Sequence, residues 1–324
     1  MRKKPEHEQI LDRFAALAAI MAVASFDYGP RILVFCTLAA AVSMLTELIC
    51  LYLRHERFGF RHLDAAVCGI LIYMLMPPTV SVSLLILSCV FSIIIGRQVF
   101  GGRKQMLFPT AAVGYCFGLM QSGVQMRLFP LSKGILPLYF ADSVEQGAGL
   151  SEKWNSSGHF PSDFMEWLTG PAGLPTGSVS VLLLLVIAAV LCFRRSASLS
   201  VLLPMLTVIC GGNVMLHLFR APLLVCTASM MTNQTLFSAV FLYADPMYAP
   251  KSLYGFLYGL LCGILVLIMT FFFAVTDAPV MISVLVAPLA LYLRRPELFE
   301  QTKGGVCPDE TEGDSVPAAE LSAD

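Results

Sequence analysis

Three carboxylates in this sequence stand where carboxylates are costly. Glu47 lies in the apolar run LTELICLYLRHE, Asp245 precedes Pro246 in YADPMYAP, and Asp277 sits in TDAP between two hydrophobic stretches. An ionisable side chain at the centre of a membrane helix costs about 2.5 to 3.5 kcal/mol on insertion scales, so its presence points to work such as holding or passing a cation. Glu47 suits an ion path, or else it pairs with Arg54, Arg57 or a neighbouring helix. For Asp245 the choice is between an ion or cofactor contact and a cap or turn, and Asp277 reads chiefly as a cap or turn. Asn213 and His217 are four residues apart on one helical face, a spacing that suits polar glue between helices. Gly101, Gly102 and Gly114 lack a Cβ, so their backbone can approach either a planar ring or a packed helix closely.

The surroundings of these residues restrict the function classes. Hydrophobic residues make up 57% of the chain and charged ones 13%, with a mean hydropathy of +0.75, whereas soluble domains are roughly 45–50% apolar. This is the composition of a multi-span membrane protein. A net charge of −1 without a basic cluster excludes a nucleic-acid-tracking surface. The ten cysteines lie mostly inside apolar runs, with no Cys-x-x-Cys and no Cys/His set at metal spacing, and read as small packing residues. No catalytic residue, resident metal, Ser/His/Asp set or phosphate loop is found, so a self-contained hydrolase or ATPase is not expected.

A span needs about 20 apolar residues, or fewer where a helix is broken or packed within protein. That rule gives an all-α polytopic fold with about ten transmembrane helices, near 11–27, 31–53, 64–76, 79–96, 107–121, 177–193, 198–219, 222–243, 253–275 and 278–293. The hydrophobic run after MRKKPEHEQILDRF has no small-residue cleavage site and reads as a retained span. Most of the 21 Lys and Arg fall on one side of this ladder, which places both termini in the cytoplasm. Residues 1–10 form the cytoplasmic N-terminus, 11–121 a first five-helix half, 122–176 an external loop, 177–293 a second half and 294–324 a largely disordered cytoplasmic tail. An odd number of helices per half makes the halves an inverted repeat, and Pro77-Pro78 and Asp245-Pro246 fall at comparable breaks.

Several segments together carry a resemblance. IGRQVFGGRKQMLFPTAAVGY, Ile95 to Tyr115, is similar to a segment of the RnfD membrane proteins of Rnf electron-transport complexes, where a basic residue and Gly-Gly lead into a Phe-Asn-Pro-Ala turn. LTELICLYLRHE, GILIYMLMPP, TNQTLFSAVFLYADPMYAP and the closing LRRP resemble further segments of that family in the same order. The RnfD/NqrB family also includes the NqrB protein of the sodium-translocating NADH:quinone reductase. The resemblance implies a flavin-bearing subunit of the bacterial plasma (inner) membrane that passes electrons while Na⁺ or H⁺ moves, in company with other membrane and flavoprotein subunits. It assigns Gly101, Gly102, Phe108, Gly114 and Asp245 to the cofactor and Glu47 to the ion path.

The family's FMN is joined by a phosphoester bond to the threonine of an external Ser-Gly-Ala-Thr. Here DSVEQGAGLS puts Gly149 at the acceptor position, and glycine has no oxygen to bond to phosphate; Ser151 is two residues further on. Met106 and Pro109 stand where the family has asparagines around Phe108, and Asn233-Gln234 replaces a Gly-Ala pair. The expectation is therefore a divergent member that holds its flavin, FMN or riboflavin, noncovalently. The rivals are a flavin-free transporter on the same scaffold and a membrane anchor that docks a separate flavoprotein.

Overall fold

The computed structural model describes residues 5–56, 58–100, 102, 106–132, 134–138, 144–157, 173–216, 222–250 and 252–294. The acidic C-terminal tail, Gly101, Arg57 and His217 lie outside these residues.

Hydrophobic content makes the chain helical, and proline and glycine decide where each helix stops. Helix α1 (Glu6–Tyr28) ends at Gly29, whose φ of 81° only glycine adopts without strain, and Pro30 then starts α2 (Arg31–Leu53). Helix α3 (Asp64–Leu75) begins with Asp64 in its first turn, where a negative charge meets the positive end of the helix. It stops because Pro77 forces Met76 into extended backbone. At 12 residues α3 is about 18 Å long, well short of a hydrocarbon core of about 30 Å. It is buried at nearly every position from Ala65 to Leu75, which explains why it is apolar all round. Helix α4 (Val82–Ile93) runs into a π turn, Ile94–Gln98, and α5 (Thr110–Gln121) follows Pro109.

The loop region then adds α6 (Gly123–Arg127), strands β1 (Leu128–Pro130) and β2 (Gln146–Ala148), and α7 (Leu150–Ser157). The two strands pair antiparallel with Phe129 opposite Gly147, a small β element that a purely α-helical reading lacks. Its residues alternate too briefly to register as a strand signal in sequence. Helix α8 (Val181–Phe193) starts at Ser180, whose hydroxyl accepts from Leu183 N, and leads to α9 (Leu199–Leu216).

The stretch read as one span over 222–243 is interrupted. Helix α10 (Pro222–Met231) stops, Asn233 and Gln234 take left-handed backbone with φ of 56° and 57°, and α11 (Thr235–Ser238) resumes and continues as a π turn over Ala239–Tyr243. Helices α12 (Ser252–Phe273) and α13 (Ala278–Arg294) complete the bundle.

This is a multi-pass membrane architecture, mostly helical. Three helices are long and apolar enough to cross a membrane unaided, His7–Tyr28, Arg31–Leu53 and Leu253–Phe273, and several shorter apolar helices pack among them. Small residues set the closest approaches, as expected where lipid tails leave little hydrophobic drive between helices. Gly255, Gly259 and Gly263 line one face of α12, and a Cβ at Gly259 would lie 2.5 Å from the Val201 carbonyl of α9.

Candidate functional site

Glu47 is 1% exposed within α2, and three side chains from two other segments converge on it. Its Oε1 is 2.9 Å from His62 Nδ1 and 3.3 Å from Arg97 Nη2, and its Oε2 accepts from Gln98 Nε2 at 2.6 Å. Arg97 and Gln98 are adjacent in sequence, and the π turn at the end of α4 brings both to the same carboxylate. Such one-turn π bulges recur at functional sites because they re-aim side chains. Arg97 Nη1 also lies 3.9 Å from Asp64 Oδ2, so the buried guanidinium faces two acids, while its Nε finds no hydrogen-bond partner. Arg54 is instead engaged by Gln98 and Glu56, at 3.1 and 2.8 Å. The pairing of Glu47 is therefore with Arg97, from a separate helix, and not with the neighbouring Arg54.

Asp245 is the second buried acid at this arginine-rich end of the bundle. Arg13 of α1 donates both Nη groups to it, Nη1 to Oδ2 at 2.7 Å and Nη2 to Oδ1 in a shorter contact. Oδ1 also accepts from Met247 N at 2.7 Å, so the turn role and the ionic role coexist in one carboxylate. Arg13, Asp64, Met106, Thr110, Asp245 and Tyr248 line a cavity of about 40 Å³. Asp12, one residue earlier, binds Arg194 Nε at 2.7 Å and accepts from the Ser196 hydroxyl. The first turns of α1 thus tie together segments far apart in the chain. In sequence Arg13 is only one of many basic residues, because its separation from Asp245 carries no local signal.

Of the residues assigned to a cofactor by resemblance, Gly101 lies outside the described residues, and the others do not all line one cavity. Gly102, with φ of 78°, lies beside Arg54 and Gln98, next to the Glu47 group. Phe108 is half-buried with its ring edge-on to Phe100 at 5.4 Å, and its carbonyl accepts from the Tyr248 hydroxyl at 2.8 Å. Gly114 serves helix packing: a Cβ there would lie 2.7 Å from Ser92 Cβ and 2.9 Å from Ile72 Cδ1, leaving no gap for a ring. Asn213 returns its amide to Ile209 O in its own helix at 2.9 Å.

The opposite end, beneath the β1–β2 ribbon, holds the acceptor region. Gly149 and Ser151 both line a cavity of about 20 Å³ with Arg127, Gln234, Thr276 and Asp277. A Cβ at Gly149 would stand 2.7 Å from two ring carbons of Phe129. The Ser151 hydroxyl is occupied, accepting from Asn233 N at 2.7 Å at the break between α10 and α11. Neither position fits a covalently held FMN, and a cavity with room for about one water is far below the roughly 300–1,000 Å³ of small-molecule pockets. Asp277 accepts from the Tyr115 hydroxyl at 2.6 Å and from Thr276 at 3.2 Å; Gln234 Nε2 donates to Tyr115 Oη at 3.1 Å and to Leu75 O at 3.0 Å. Burial pushes the Asp277 carboxyl above the ordinary carboxylate range, against the opposing pull of Tyr115, Arg127 and Thr276. Among the described residues no His/Cys/Asp/Glu group is arranged to hold a metal ion.

Comparison with known proteins adds a family. The model of the NQR2, RnfD, RnfE family matches residues 3–294. Over shorter stretches the chain is similar to proteins named as D-type subunits of an ion-translocating oxidoreductase complex. It is 36% identical over 123 residues to the one from Yersinia enterocolitica, covering 37% of this chain and 34% of the relative. It is 32% identical over 114 residues to the one from Escherichia coli O1:K1, covering 34% and 32%, and 28% identical over 134 residues to that of Sodalis glossinidius, covering 40% and 38%. The matched stretch thus spans well under half the length of these curated relatives.

Proposed function

This chain belongs to the NQR2, RnfD, RnfE family, and we propose that it is a membrane subunit of an Rnf-like complex coupling electron transfer to Na⁺ or H⁺ translocation. The observation that carries the reading is the line of charge at the arginine-rich end: buried Glu47, Arg97 and Asp245 with half-buried Asp64 and Arg13, brought together from five separate segments. Ionisable groups inside a membrane bundle mark ion paths more often than structural seams, because a purely structural role is met at lower cost by apolar packing. In this reading Glu47 and Asp245 are stations on the cation path, and the basic partners set how readily each carboxylate is released to a cation.

The proposed architecture is ten membrane helices in two inverted halves, 11–121 and 177–293, separated by the external loop 122–176, with both termini in the cytoplasm of a bacterial cell and the chain in the inner membrane. What supports the repeat is that the third stretch stops short before Pro77, the eighth breaks at Asn233–Gln234, and these ends meet, Gln234 donating to the Leu75 carbonyl that closes α3. The partners are the other membrane and flavoprotein subunits of the complex. A flavin enters as a noncovalent group, since Gly149 has no oxygen or space and the hydroxyl of Ser151 is occupied. Those same two observations favour, as a second reading, a flavin-free transporter on this scaffold.

The experiment is to purify the full chain with its cellular partners and examine flavin absorbance before and after denaturation. Flavin released on denaturation, together with co-purifying redox subunits, supports the first reading; a folded, partner-free and flavin-free chain that moves cations in liposomes supports the second. Glu47→Gln should abolish or slow cation movement while the complex stays assembled, and unchanged coupling would remove Glu47 from the path.

A further inference from the structure

The buried acids of this chain are balanced in two different ways. Glu47, Asp12 and Asp245 each have an arginine within ion-pair distance. Asp277 is 5% exposed, yet among the described residues it is met by two neutral hydroxyls and by no cationic side chain within 4 Å. A carboxylate removed from water with no cation in contact is strongly disfavoured, so it is completed either by its own proton or by a bound cation. Arg127 lines the same cavity but is exposed and acts from further away.

A second oxygen there is also unsatisfied. Gln234 is 3% exposed, and its Nε2 is committed to the Leu75 carbonyl and Tyr115 Oη. Because the Leu75 carbonyl can only accept, the amide orientation is fixed and Oε1 faces away from it. Oε1 is buried without a hydrogen-bond partner, on a residue that lines the Asp277 cavity. Tyr115 Oη accepts from Gln234 and donates to Asp277, so it links the two into one rigid unit. A carboxylate with no cation in contact and an amide oxygen lacking a donor, both lining a space of about 20 Å³, are the oxygen ligands that one small, largely dehydrated monovalent cation takes.

We propose that Asp277 and Gln234, held by Tyr115, form a binding site for a Na⁺-sized cation at the loop end of the bundle, distinct from the Glu47 and Asp245 groups at the other end. The inference rests on the reading of the chain as part of a cation-translocating complex and gives that path a station at its far end. The site adjoins the break in the α10–α11 stretch, where Ser151 of the loop holds Asn233, so an occupied site would brace the broken helix and the loop together. Among the described residues, the other titratable or charged groups facing it are Tyr115, Cys116, Arg127 and Glu152.

The test is thermal unfolding of the full chain in nanodiscs, with NaCl titrated against choline chloride at constant ionic strength and repeated with KCl. Na⁺ should raise Tm at neutral pH, more than K⁺ does, and Asp277→Asn should abolish that rise. Should that variant fail to fold, Gln234→Leu serves in its place and should weaken the apparent Na⁺ affinity by roughly tenfold or more. Acidification should reduce the Na⁺ effect, because a proton competes for the same carboxylate. With Na⁺ absent, the raised carboxyl binds its proton more tightly in the folded state, so its own contribution to stability is fully present at low pH and is lost as pH rises through the folded value, a change that Asp277→Asn removes. A pH effect alone, with no response to Na⁺, would make the proton the occupant and overturn the alkali-cation assignment; a Na⁺ shift unchanged in both variants would overturn the site itself. Neither result depends on flavin or on partner subunits, so the site can fail while the proposed role in the complex stands, and the reverse.

Discussion

The two ends of the bundle solve the same electrostatic problem with different materials. At the arginine-rich end, Glu47, Asp64 and Asp245 are held by Arg97 and Arg13, charge against charge. At the loop end, Asp277 is held by the hydroxyls of Tyr115 and Thr276, dipoles against charge. The difference is one of competition: a cation reaching Glu47 or Asp245 must displace a guanidinium, whereas the hydroxyls at Asp277 orient the carboxylate without offering a competing charge in contact. Buried acids of one chemical type are thereby sorted into a group gated by arginine and a group open to a cation.

The largest effect should come from Arg97→Leu, which leaves buried Glu47 without its guanidinium and removes the one that half-buried Asp64 shares. Breaking such a pair costs about 3–5 kcal/mol, and thermal unfolding in detergent should show it, while the double variant with Glu47→Leu should recover part of the loss. A single variant no worse than the double would mean that the guanidinium is not the counter-charge. Next in size is the tie between α1 and the segment after α11. A double-mutant cycle on Arg13→Leu and Asp245→Leu should return a coupling of as much as about 3 kcal/mol, and simple additivity would show that the two side chains act independently. At the loop end, Tyr115→Phe removes the donor to Asp277 and the acceptor for Gln234, with an expected loss of about 1–3 kcal/mol that Na⁺ reduces. Equal losses in Na⁺ and choline would break the contrast between the two ends. The smallest change is Ser151→Ala, which strips Asn233 N of its acceptor; a loss of about 1 kcal/mol, with faster amide exchange at Asn233, is expected, and no change in exchange would place the constraint on the broken helix elsewhere.

Much of the helical layout was legible because hydropathy and proline act locally. A helix lies over each apolar stretch read from the sequence, and Pro77-Pro78 ends α3 where a missing donor and a steric clash require it. The break at Asn233–Gln234 was not legible, since neither residue demands left-handed backbone; the Ser151 and Leu75 contacts hold it there. Glu47 and Asp245 were visible as costly charges, but their partners Arg97 and Arg13 were not, because pairing between distant segments has no periodicity to read. Asp277 read as a turn residue, and its importance rests on what does not come near it. Gly114 shows the converse: a glycine open to two readings in sequence is assigned to packing by the proximity of Ser92 and Ile72.

The sequence by itself determined that this is an apolar, helical chain, because the transfer cost of each segment is a property of its own residues. It also determined that position 149 cannot supply an oxygen. Only the tertiary structure decided which carboxylate meets an arginine and which meets a hydroxyl, for charge balance in a buried site is summed over whatever the fold brings within a few ångströms.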